Sequence, residues 1–157
     1  MSQENSSKNP LLQQSFKMIK NPVIIAFFIT PIRYSLELIG LPENLIFIIG
    51  LLWLTIGFAI YWAIKFHQNK QFIFLLILSL MLYSPISRIP VAIAWWIDRY
   101  WDLGTHYGLY FDNFSQAFLN QVVYGSIVQI IPGFVFGSIT FAIMKHKRFS
   151  IRNNTIS

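Results

Sequence analysis

The run LIFIIGLLWLTIGFAIYWAI, Leu45–Ile64, carries twenty residues without a charge, and no other feature restricts the fold of this chain as strongly. At about 1.5 Å per residue, a helix of that length covers roughly 30 Å, the thickness of one hydrocarbon core. A second uncharged run, Val122–Met144 (VVYGSIVQIIPGFVFGSITFAIM), stops at Lys145, His146, Lys147 and Arg148. Pro132 bends such a helix without preventing insertion, because the carbonyl it frees finds another partner in a bundle. Composition agrees with both runs. Charged residues are 11% and hydrophobic residues 55% of the 157 positions, whereas soluble domains carry about a quarter charged residues. A soluble core of this size cannot hide so much apolar surface, so soluble classes are excluded. The absence of Cys removes disulfides, thiolate metal sites and Cys nucleophiles.

Two further segments complete the set. FIFLLILSLMLYSPI, starting at Phe72, is apolar only to Ile86. Pro85 and Pro90 predict a break near Ser84 or Ile89, or else a bend through both prolines into VAIAWWI. Either way Arg88 lies near one membrane surface. VIIAFFITPIRYSLELI, Val23–Ile39, contains Pro31, Arg33 and Glu37. Each charge costs about 2.5–3.5 kcal/mol at the bilayer centre, which nearly cancels the gain from the surrounding Ile, Leu and Phe. The distribution of charge is more decisive. With four spans and both termini in the cytoplasm, Lys8, Lys17, Lys20, Lys65, Lys70, Lys145, Lys147, Arg148 and Arg152 all lie inside, nine of the twelve basic residues. Three spans would place the N-terminal lysines opposite the other basic clusters. The positive-inside rule therefore favours four.

The expected fold is an all-α integral membrane protein of one domain, with a polar cytoplasmic tail over 1–21. The expected spans are about 23–40, 45–64, 71–87 and 119–144, and an outer aromatic loop over 88–116 carries a short interfacial helix. MSQENSSKNPLLQQSFKMIKN lacks the basic, apolar and small-residue regions of a signal peptide, so no cleaved leader is expected. The location is the cell membrane, or the inner membrane in a Gram-negative cell. The net charge of +6 reflects this topology and the basic KHKRFSIR segment suits anionic lipid, so no nucleic-acid partner is expected.

Polar residues within spans are the first place to look for function. At 100° per residue Ala26, Thr30, Arg33 and Glu37 share one narrow stripe, while Ile, Leu and Phe occupy the rest. Arg before Glu at i,i+4 is the weaker order for a helix pair, so each prefers a partner elsewhere. In the last span Gly125, Gln129, Gly133 and Gly137 recur every four residues. Small residues at that spacing let two backbones approach, and Gln129 can hydrogen-bond across the seam.

WWIDRYWDLGTHYG, residues 95–108, concentrates the remaining reactive side chains. On a continuous helix Asp98, Asp102 and His106 form an i, i+4, i+8 stripe suited to a divalent metal or to acid–base chemistry. Gly104 argues against that continuity, and no HExxH or GxSxG motif accompanies the stripe. Eight of the twenty positions 95–114 are aromatic, which suits a headgroup-level belt. A helix of about Val91–Trp101 in the interface, ending by Gly104, accounts for more of these residues than a metal or catalytic site does.

Three functions follow, in order of preference. The first is a non-enzymatic helix-bundle subunit, associating with itself or a larger membrane partner through the glycine seam. The second is a small transporter or ion pathway built on Arg33, Glu37 and Gln129. The third is a membrane-embedded enzyme using Asp98, Asp102 and His106. The leading reading assigns no catalytic residue, metal or cofactor. One geometric question separates them: whether Arg88, Asp98 or Gln129 reaches the Arg33–Glu37 stripe.

Overall fold

The computed structural model describes residues 10–108 and 110–154, and the side chains of all these but Glu43 and residues 148–154. The described residues form six α-helices: α1 (Pro10–Leu38), α2 (Glu43–Ile46), α3 (Leu51–Lys65), α4 (Phe72–Trp101), α5 (Phe114–Leu119) and α6 (Gly125–Asn154). No strand occurs among them. Four stretches are long and apolar enough to cross a membrane: Pro10–Leu38, Asn44–Lys65, Phe72–Trp101 and Phe114–Lys147. They alternate in direction, so the chain has two ends. At the lysine end α3 turns into α4. At the loop end lie the connection from α1 to α3 and the segment between α4 and α6. Helix α4 packs along both α1 and α6, and α3 packs along α6.

Helix α4 follows the second alternative, through both prolines into VAIAWWI, and corrects the expectation of a break near Ser84 or Ile89 and of a separate interfacial helix. It runs unbroken through Pro85 and Pro90 for 30 residues. Its buried positions include Leu76, Leu80, Ser84, Ser87, Val91, Ala94 and Asp98, a three- and four-residue repeat that crosses both prolines in register. A proline costs a helix about 3 kcal/mol in isolation. Close packing of that uninterrupted face against α1 and α6 offsets the two lost backbone bonds. The helix stops before Gly104, because Asp102 takes the left-handed conformation at φ 49° and caps it, with Gly104 at φ +72° just beyond.

Helix α1 likewise starts earlier than a 23–40 span with a polar tail implies. Pro10 opens it, a first-turn position where the missing N–H costs nothing. Ser15, Met18, Ile19 and Pro22 are buried on the stripe that continues through Ala26 and Thr30, so the same face packs throughout. Of the tail expected over 1–21, residues 10–21 belong to α1 and residues 1–9 lie outside the described residues. At the other end of the chain, Asn113 caps α5 by accepting the Gln116 N–H at 2.9 Å. One π-turn, Asn120–Tyr124, then joins α5 to α6.

The core is layered aromatic and aliphatic side chains, including Trp62, Phe72, Leu75, Leu76, Leu80 and Tyr83. Phe72 and Phe141 stack at 4.8 Å near the lysine end. A Cβ on Gly133 would lie 3.0 Å from Thr55 Cγ2 and 3.1 Å from Leu80 Cδ2, and one on Gly137 would lie 2.8 Å from Leu76 Cδ2. These glycines thus meet α3 and α4 of their own chain.

Candidate functional site at the loop end

Arg33 and Glu37 come from the last two turns of α1; Glu37 meets the loop after α4, and Arg33 lines a cavity. Glu37 Oε1 accepts the His106 backbone N–H at 2.5 Å, and Glu37 Oε2 meets His106 Nδ1 at 2.5 Å. Both carboxylate oxygens are therefore held by one residue from 69 positions away. Among the described residues this is the one contact of a basic with an acidic side chain within 4.0 Å. The left-handed turn at Asp102 and Gly104 reverses the chain so that the one-turn helix His106–Gly108 faces α1.

Asp98 anchors that same loop. It is 3% exposed, and its Oδ1 accepts the Thr105 backbone N–H at 2.9 Å and the Thr105 hydroxyl at 2.7 Å. A Cβ on Gly108 would overlap the Asp98 carboxylate, so the loop needs glycine there for close approach. Tyr34 of α1 lies within electrostatic range of both Asp98 and Glu37, and its ring meets Tyr107 edge-on at 5.6 Å. The Asp98–Asp102–His106 stripe is thus dispersed. Asp98 binds Thr105, Asp102 is the exposed cap and His106 binds Glu37. No group of three His, Asp or Glu among the described residues is arranged to hold a metal. The aromatic stretch divides too: Trp95 and Tyr107 are buried, while Trp96, Tyr100 and Trp101 stay exposed.

Arg88 answers the geometric question in part. It lines one cavity of about 250 Å³ together with Arg33, and His106, Tyr107, Tyr110 and Gln121 complete the polar part of the wall. Arg33 is near enough for its charge to act on the Arg88 guanidinium. Arg88 Nη1 donates to Gln121 Oε1 at 3.3 Å, and the Nε atoms of Arg33 and Arg88 are buried without a hydrogen-bond partner among the described residues. Neither guanidinium has a carboxylate within ion-pair distance among the described residues. Gly125 admits Arg88, since a Cβ there would overlap the guanidinium. Gln129 does not reach the cavity. It is fully buried one layer inward, where Ser87 Oγ lies 3.4 Å from its Oε1 and its Nε2 has no partner among the described residues.

Sequence reasoning named Arg33, Glu37, Arg88, Asp98 and Gln129, and the structure brings them to one end of the bundle without joining them directly. It missed Thr105, Gln121 and Ser87. Gln121 had a legible signal, because it continues the four-residue series of Gly125, Gln129, Gly133 and Gly137 one step back. Comparison of the chain with family models, with curated proteins and with solved structures finds no match.

Proposed function

We propose that this chain is a small membrane-embedded anion-binding protein, with Arg33 and Arg88 taking an oxyanion in the loop-end cavity. The carrying observation is two guanidiniums from different helices in one cavity with no carboxylate within ion-pair distance among the described residues. Two like charges held in a largely apolar surround repel one another and lose solvation, which an anionic ligand offsets. Guanidinium forks match sulfate, phosphate or carboxylate geometry, and a cavity of about 250 Å³ suits a small ion. In the orientation that the lysines favour, both termini are cytoplasmic and the cavity opens on the outer side.

The small-transporter reading is the natural extension. Ser87, Ser84 and Gln129 continue as buried polar groups from the cavity toward the core, and the Ser84 hydroxyl and Gln129 Nε2 lack partners among the described residues. Such groups are costly in an apolar interior unless water or a solute meets them. The subunit reading rests on the glycine seam, and that seam faces the chain's own α3 and α4. What remains for it is the outer face of the fourth stretch, the least buried of the four, which lipid covers equally well.

The test is calorimetric titration of sulfate, phosphate and acetate into the chain in lipid nanodiscs. Arg33→Gln and Arg88→Gln should each weaken the preferred anion at least roughly tenfold, since a hydrogen bond to a charged group contributes about 1.5–3 kcal/mol. Equal isotherms for wild type and the double variant would sink the proposal. In proteoliposomes Gln129→Leu should keep binding and lower flux; unchanged flux would confine the function to recognition.

A further inference from the structure

A second groove lies at the lysine end, between α1 and α3, with a volume of about 540 Å³. Its lining on α1 extends from Gln14 to Ile25, about 16 Å along a helix axis at 1.5 Å per residue. Lys17 and Lys65 stand at one end of it, and Met18, Ile25, Phe58 and Trp62 form an apolar length beyond. Met18 and Trp62 are buried, so the floor belongs to the core. Lys65 Nζ donates to the Tyr61 hydroxyl at 3.2 Å and lies 5.5 and 5.7 Å from the Tyr61 and Phe66 ring centroids. Aromatic faces hold its ammonium at the mouth without neutralising it.

Neither lysine has a carboxylate within 4.0 Å among the described residues. The described acidic positions, Glu37, Glu43, Asp98, Asp102 and Asp112, all belong to the loop end. A cationic mouth continuing into an apolar trough has the shape of a headgroup followed by a chain, and a free ion uses none of the trough. Basic pockets between membrane helices take anionic headgroups on these grounds. We infer that this groove holds one anionic phospholipid, with its phosphate on Lys17 and Lys65 and the start of an acyl chain along Met18, Ile25 and Phe58. The site is separate from the loop-end arginines and stands whether or not they bind an anion.

Native mass spectrometry of the full chain released from detergent tests this with phosphatidylglycerol and phosphatidylcholine as probes. One phosphatidylglycerol should be retained in preference to phosphatidylcholine. Lys17→Gln/Lys65→Gln should weaken it about 30-fold, and Lys17→Arg/Lys65→Arg should keep it. Arg33→Gln/Arg88→Gln should leave it unchanged, which separates this site from the proposed anion cavity. Equal retention of the two lipids, equal retention by the glutamine variant, or displacement by excess inorganic phosphate would overturn the assignment. Should the glutamine variant fail to fold, phosphatidylglycerol with a photoreactive acyl chain decides on wild-type protein. Crosslinks within residues 14–25 and 58–66 support the site, and crosslinks confined to other helices overturn it.

Discussion

Replacing glycine by alanine should change stability with opposite signs at Gly57 and at Gly133 or Gly137. In a helix interior, alanine gains about 0.5–1 kcal/mol over glycine by restricting the unfolded backbone. Gly57 has nothing within 4 Å of a built Cβ, so it should keep that whole gain. At Gly133 the added carbon would sit 3.0 Å from Thr55 Cγ2. Thr55 cannot turn aside cheaply, because its hydroxyl donates to the Leu51 carbonyl at 2.6 Å. At Gly137 the Leu76 methyl at 2.8 Å can move, but Ala59 Cβ at 3.3 Å and its carbonyl oxygen at 3.4 Å move only with α3 itself. Overpacking of this kind costs about 1–3 kcal/mol, which leaves a net loss of roughly 1–2 kcal/mol after the alanine gain.

For a chain of this size each kcal/mol moves the melting point by about 2–4 °C. Scanning fluorimetry in one detergent should therefore show Gly57→Ala melting about 2 °C higher and the other two roughly 2–8 °C lower. Light scattering on the same samples should show the same mass for all three. Melting points that shift together in one direction would refute the packing argument. A change of mass confined to Gly133→Ala and Gly137→Ala would place the seam between copies instead.

Asp98→Ala should loosen the loop more than the bundle. It removes the acceptor of two buried Thr105 donors, so amide exchange over 105–108 should accelerate roughly 100-fold while α3 and α6 hold; uniform exchange would count against this anchor. Gly125→Ala should weaken anion binding with little loss of melting temperature, since its Cβ meets the movable head of Arg88. Unchanged affinity would show that Arg88 binds from another position.

The long apolar helices were legible because twenty uncharged residues have few other fates. The unbroken α4 was legible only as the second of two alternatives, because proline rules describe a helix without neighbours. Its repeat Leu80, Ser84, Ser87, Val91, Ala94 and Asp98 was present in the sequence but mixes polar with apolar residues. Only the partner helices show that the serines and Asp98 lie on the buried face. The site divides in the same manner. Arg33 and Arg88 stood out because charges are rare in such segments. Thr105 and His106 act through a loop whose course is set by a left-handed Asp102, a conformation that does not single out Asp in advance.

The loop has a consequence for Arg33 that a double substitution can isolate. Glu37 sits one turn beyond Arg33, close enough on a helix surface to pair with it. His106 instead occupies both Glu37 oxygens, with its backbone N–H on one and its ring nitrogen on the other. Arg33 is thereby left to the cavity. If this sequestration matters, His106→Ala should release Glu37, let it compete for Arg33, and weaken oxyanion binding about tenfold. Glu37→Gln alone removes the competitor and should leave binding intact or tighter. Combining the two should restore the affinity lost in His106→Ala, because nothing acidic remains to neutralise Arg33. A histidine that touched the anion directly would give a double variant as weak as the single one. Titration calorimetry on the four proteins separates the cases. Failure of Glu37→Gln to rescue His106→Ala would refute the sequestration and make His106 a direct ligand.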